Sequence, residues 1–164
     1  KISLHAGEIT DRLRGIDSLD LCNHIWEAIS IGNANRIGHG VDIRGEQNSA
    51  AILDHMAVQF IAIEINLRSN EVILQTDSAN HPINNYLEAG VPVCLSTDDA
   101  GILRTTLADQ YALALKYSPT LKYSDVKQLV KNTITYSFLS DDEKEHQLGV
   151  LQQNFLTFED SFRH

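Results

Sequence analysis

The sequence predicts an α/β fold assembled from parallel strand–helix units. Two observations carry that prediction. Short apolar, β-branched segments alternate with helical patterns along the chain, and this alternation builds parallel βα units. In addition, the polar residues best suited to chemistry fall at or just after the strand ends, where α/β proteins gather their functional groups.

The elements follow in order. Ile2-Ser3-Leu4-His5 reads as the first strand. A helix over about Ser18–Ile31 follows, with Leu19, Cys22, Ile25, Trp26 and Ile29 at helical spacing. Arg36–His39 is a second, short strand, and the pattern over Gln47–Met56 is a second helix. Gln59–Asn66 is the clearest strand, because it is apolar and β-branched as a strand buried on both faces should be. A short helix begins near Pro82, a good first-turn residue, and stops at Gly90. Pro92–Thr97 is the fourth strand. Three helical patterns complete the chain, over Thr106–Tyr117, Ser124–Ser137 and Asp141–Phe155, with Ser124 and Ser140 as candidate N-caps. Four such units fit a small doubly wound sheet as well as half of a (β/α)8 barrel, and composition does not choose between them.

Composition narrows the function classes. The chain has 164 residues, 43% of them hydrophobic, enough for one well-packed domain. Its formal charge of −9, from 22 acidic and 13 basic residues, argues against a nucleic-acid partner, which calls for a basic surface. No apolar run is long enough to span a membrane, and no basic-then-apolar leader is present. Lys1 opens directly into a strand-like run, so residues before it are expected to be missing, although a processed terminus would look the same. Cys22 and Cys94 do not make a disulfide framework. Cys94, inside the run Val91–Leu95, reads as a small buried hydrophobe.

Strand-end chemistry comes next. In His5-Ala6-Gly7-Glu8, a histidine ring nitrogen can bind zinc and a glutamate one turn away can move a proton. His39 stands between Gly38 and Gly40, whose small size lets backbone and substrate approach closely. Asp98 and Asp99 repel each other unless a cation or a bound base relieves them. Taken singly, each also fits an ordinary role: a surface loop, a hydrogen-bonded structural histidine, an acidic turn before a helix. His24, His55, His146 and His164 lie on helical or terminal segments and are not read as ligands. His81 is read as shaping the loop after the third strand, within possible reach of a pocket.

Taken together and in order, the motifs resemble one family. His5-Ala6-Gly7-Glu8, Arg36-Ile37-Gly38-His39-Gly40, Ser69-Asn70 and Ser96-Thr97-Asp98-Asp99 are similar to the adenosine deaminases. Asn80-His81-Pro82 and Gly90-Val91-Pro92-Val93 point to the growth-factor-like and bacterial branches. The resemblance spans nearly the whole chain. It implies that residues 1–164 are the C-terminal half of a (β/α)8 barrel, strands five to eight with flanking helices and extra C-terminal helices, and that the N-terminal half lies outside this chain.

The resemblance also implies a site. His5 and Asp98 would be ligands of a zinc ion. Glu8 would donate a proton to N1 of the purine, and His39 would orient the attacking water and help take its proton. Asp99 would hydrogen-bond N7, and Gly7 would leave room for the base. The implied reaction is hydrolysis of adenosine or deoxyadenosine to inosine and ammonia, with deamination of AMP or adenine, or a non-catalytic descendant, as alternatives. Zinc brings the pKa of a bound water towards about 7. Attack at C6 then follows once N1 is protonated.

Some features depart from the pattern. The family takes two more ligands from a His-x-His on its first strand, and no His-x-His occurs here. Arg68 stands where proline or threonine is usual, and Ala100 where proline is usual. A half-barrel would leave its first and fourth strands as raw edges and an inner face near Ile61, Ile63 and Val93 open. The expected partner is therefore the N-terminal half or a second copy, and the isolated chain is expected to bind zinc weakly and be inactive. The default location is cytoplasmic, with export open.

Overall fold

The computed structural model describes residues 1–10 and 21–163. Strands β1 (Ser3–Ala6), β2 (Arg36–His39), β3 (Ala62–Ile65) and β4 (Val93–Leu95) form one sheet in sequence order. Every neighbouring pair is parallel. The helices are α1 (His24–Ser30), α2 (Ser49–Val58), α3 (Leu67–Ile73), α4 (Ile83–Glu88), α5 (Ala100–Leu103), α6 (Leu107–Tyr117), α7 (Tyr123–Thr135) and α8 (Asp141–Asp160). A 3₁₀ turn, Val41–Gly45, follows β2. The start of the helix expected over Ser18–Ile31, including Leu19, lies outside the described residues.

Register explains the two faces of the sheet. Leu4, Ile37, Ile63 and Val93 stand side by side across the strands. Ile37, Ile63 and Val93 belong to the buried core, with Leu4 packed on it. The next row, one residue further along each strand, points the other way because side chains alternate with period two. That row is His5, Gly38, Glu64 and Cys94. Arg36, two residues before Gly38, pairs with Glu64. The expectation of an open apolar inner face is therefore corrected. Ile61, Ile63 and Val93 are buried, and the opposite face carries an ion pair and a histidine. Cys94 is buried as expected, no disulfide joins it to Cys22, and burial pushes its thiol up to about 11.

Local chemistry sets the helix ends. Thr106 and Ser140 cap α6 and α8, each in a reciprocal capping box with Asp109 and Glu143. Ser124 does not cap α7; Lys122 is the capping residue, and its backbone N–H donates to Asp125. The N-terminus of α1 is held from a distance. Backbone N–H groups of Ile25 and Trp26 donate to the two carboxylate oxygens of Glu46 at 2.6 and 3.4 Å. Burial raises the Glu46 pKa despite those bonds. Helix α7 packs on β4, and Asn132 donates to the Val93 carbonyl at 2.9 Å, so this edge strand has one of its backbone groups occupied. No helix among the described residues is long and apolar enough to cross a membrane.

Candidate active site

A parallel sheet delivers the C-terminal ends of all its strands to one edge. His5 and Glu8 from β1, His39 from β2, Asn66 after β3, and Asp98 and Asp99 after β4 all stand there. The loops after β1 and β2 are stitched together by Gly40 N–H to Ala6 O at 3.0 Å and Asp42 N–H to Gly7 O at 2.8 Å. Gly7 takes a left-handed φ of +64°, and a Cβ there would lie 2.7 Å from Ile25 Cδ1. Its smallness serves the turn and the packing of α1.

The turn brings Glu8 back towards both histidines. His5 Nδ1 lies 4.0 Å from Glu8 Oε2, and His39 Nε2 lies 3.7 Å from Glu8 Oε1. The two imidazoles meet edge to face, with centroids 4.8 Å apart. One ligand atom from each of His5, Glu8 and His39 falls within 4.8 Å of the others. Nitrogen and carboxylate donors are the set zinc takes, and tetrahedral bonds of about 2.1 Å put ligand atoms about 3.4 Å apart. At up to 4.8 Å the three groups stand wider than that, close enough to surround one metal site without all three ligating it. His24 on α1, His55 on α2 and His146 on α8 stay outside this cluster, and His164 lies outside the described residues.

Behind the cluster is a buried polar layer. His39 is 1% exposed and has φ +71°, uncommon for a residue with a side chain. Its Nδ1 lies 3.1 Å from the Asn70 side-chain amide, and its Nε2 lies 3.5 Å from that of Asn66. The other end of the Asn70 amide lies 2.9 Å from His81 Nε2. Asn66, Ser69, Asn70 and His81 are all buried. Ser69 and Asn70, for which the sequence pattern offers no helix, sit inside α3. Helical periodicity missed this helix because polar residues occupy its buried positions. His81 is more than a loop residue: it is buried, and its pKa is lowered to about 3 by burial first and by Arg44 second.

The paired aspartates part company. Ser69 Oγ donates to Asp98 Oδ2 at 2.8 Å, and Asp98 has φ +54°. Asp99 is exposed and stands at the N-terminus of α5 without a side-chain cap bond. Asp98 is not one of the three clustered donors. It stands at the same sheet edge, fixed from α3.

Known proteins resemble this chain in sequence and fold. The adenosine deaminase family model matches residues 1–153. This chain belongs to the adenosine deaminase family. One relative, the adenosine deaminase of Salmonella schwarzengrund (strain CVM19633), is 36% identical over 147 residues, covering 87% of this chain and 39% of the relative. The chain thus spans about two-fifths of the length of the curated relatives it matches. Among solved structures, the N6-methyl-AMP deaminase of Arabidopsis thaliana superposes with a TM-score of 0.71 at 25% identity, over 92% of this chain and 40% of that one. A zinc-bound amidohydrolase from Burkhoderia ambifaria gives 0.76 at 20% identity, over 97% of this chain and 41% of that one, a likeness of fold. Within this family the four-stranded sheet is part of a (β/α)8 barrel.

Proposed function

We propose that this chain supplies the C-terminal half of a barrel that hydrolyses the exocyclic amine of adenosine. The observation that carries the reading is the convergence of His5, Glu8 and His39, with ligand atoms within 4.8 Å, at the functional edge of a family member's sheet. His5 and Asp98 would hold a zinc ion, with Ser69 fixing the Asp98 carboxylate. When bound, zinc supplies a nucleophilic water at neutral pH. Glu8 protonates the purine at N1, which makes C6 electrophilic; after water adds, the new C6 hydroxyl gives up its proton to the amine, which leaves as ammonia. His39, rigid in its buried layer, orients the attacking water. Asp99, exposed at the rim, would hydrogen-bond N7 in its protonated form, because N7 only accepts. The remaining metal ligands and the groups that read ribose or phosphate would come from the other half of the barrel. Identity to adenosine deaminases favours adenosine, while the structural likeness to an N6-methyl-AMP deaminase keeps a nucleotide as the second substrate to test.

The test uses the intact protein. Glu8→Gln is expected to retain zinc and lose about 10²–10⁴-fold in turnover, because an amide cannot deliver the proton. Ammonia release is measured from adenosine, AMP and adenine in parallel. Near-normal release by Glu8→Gln overturns the assigned role, and no release by the zinc-loaded wild type overturns the catalytic reading.

A further inference from the structure

We propose that His81 is a positioning residue that acts through Asn70 to hold the His39 ring with its proton on Nε2, the nitrogen that faces Glu8. This rests on the reading above in that it gives His39 a defined role towards the attacking water.

One donor in this layer has an identity beyond choice. The backbone N–H of Ile83 points at His81 Nδ1, 3.1 Å away, so that nitrogen must accept. A neutral imidazole has one N–H and one bare nitrogen. Its proton is therefore on Nε2. A doubly protonated ring would turn an N–H against the Ile83 N–H, and burial of His81 keeps the ring neutral. The structure turns the Asn70 nitrogen to Nε2 at 2.9 Å; with the amide turned over, its oxygen stands there and accepts from His81. The opposite orientation, with the Asn70 nitrogen on His81, would leave both ring nitrogens accepting, which only an imidazolate can do. Oxygen and nitrogen of a carboxamide occupy nearly equivalent positions, so the hydrogen-bond network decides which is which.

The consequence passes to His39. Turning the amide over also replaces the oxygen by NH₂ across the 3.1 Å contact to His39 Nδ1, and that NH₂ donates to it. His39 Nδ1 then accepts, and its proton sits on Nε2, 3.7 Å from Glu8 Oε1. Asn66, whose nitrogen faces Nε2 at 3.5 Å while its buried oxygen has no partner among the described residues, turns over in the same way so that its oxygen accepts from Nε2. Asn70 is fully buried and His39 and His81 nearly so, so water does not compete for these bonds. In this state His39 orients an attacking water by donating to its oxygen. It cannot take that water's proton at the same nitrogen, so the proton returns to the Glu8 carboxylate left ionised when N1 was protonated. The role implied by the family resemblance, in which His39 helps take the proton, is thereby revised.

The experiment is long-range ¹H–¹⁵N correlation on the intact protein with ¹⁵N-labelled histidine, recorded above the ordinary histidine titration range. His39 peaks are assigned by their loss in His39→Asn. The expected wild-type spectrum has His39 protonated on Nε2 and bare on Nδ1, and His81 in the same form. Asn70→Asp presents a carboxylate that accepts from both rings, so the His39 proton should move to Nδ1. Turnover should then fall about 10- to 100-fold, as for other residues that orient a reacting group, with KM changed less than about twofold. A wild-type His39 proton on Nδ1 overturns the proposal, as does an unchanged His39 tautomer in Asn70→Asp. Should Asn70→Asp fail to fold, the wild-type spectrum alone decides. The tautomer is read without turnover, so its failure is distinct from failure to release ammonia.

Discussion

Substituting Gly38 by alanine should remove the function while sparing the fold. Gly38 pairs with His5 across β1 and β2. A Cβ built on it would lie 2.7 Å from His5 Cδ2 and 3.2 Å from His5 Nε2. Ordinary carbon contacts are about 3.5–4.0 Å, so the His5 ring must retreat by about 1 Å. The ring is free to do so, since its side chain is 65% exposed. Stability should stay within about 1 kcal/mol of wild type, helped by the lower unfolded-chain entropy of alanine. The site tolerates far less. Metal–ligand distances hold to about 0.2 Å, and a misplacement of about 1 Å costs about 10²-fold in rate. The assay on the intact protein is zinc stoichiometry by elemental analysis, ammonia release from adenosine, and the urea midpoint. Full zinc and wild-type turnover in Gly38→Ala would refute the placement of His5 at the metal.

Two further predictions concern stability. The His81 pKa is lowered to about 3, so the folded state refuses a proton that the unfolded chain accepts from about pH 6.5 downward. The associated stability is fully present above that range and is lost as pH falls from it towards about 3, on the order of 2 kcal/mol by about pH 5. His81→Asn, whose side-chain oxygen can still accept from the Ile83 N–H, should flatten that part of the acid limb in urea titrations; equal slopes for the two proteins would count against a buried neutral His81. Glu46→Ala removes both acceptors at the start of α1 and should cost about 1–3 kcal/mol by denaturant unfolding, with Glu46→Gln losing less, and an unaffected midpoint would show that the α1 terminus needs no such cap.

Much of the fold was legible in local sequence. The second strand is found at Arg36–His39 as read, and β1, β3 and β4 lie within or beside the predicted runs. Apolar, β-branched runs bounded by polar residues identify strands buried by helices, because both the pattern and the burial are short-range. The helix Leu67–Ile73 was not legible. Its buried Ser69 and Asn70 serve the neighbouring Asp98 and His39 instead of an apolar core, so periodicity of hydrophobic residues has nothing to register. Ser124 was misread as a cap because serine at a helix start is only a preference, and the chain begins that helix one residue earlier.

The sequence by itself determined which residues reach the functional edge. In parallel βα units every strand delivers its last residues to the same side, so His5, His39 and Asp98 reach one edge whatever the details of packing. Tertiary structure alone decided how they face one another. That His5 looks across to Gly38 while Ile63 and Val93 turn into the helices follows from pairing register, where a shift of one residue exchanges the two faces. That His39 reads the state of His81 through Asn70 depends on α3 and the following loop closing over β2. These contacts join side chains far apart in the chain, and hydrogen bonds between such groups are selected by burial in three dimensions, which no local pattern encodes.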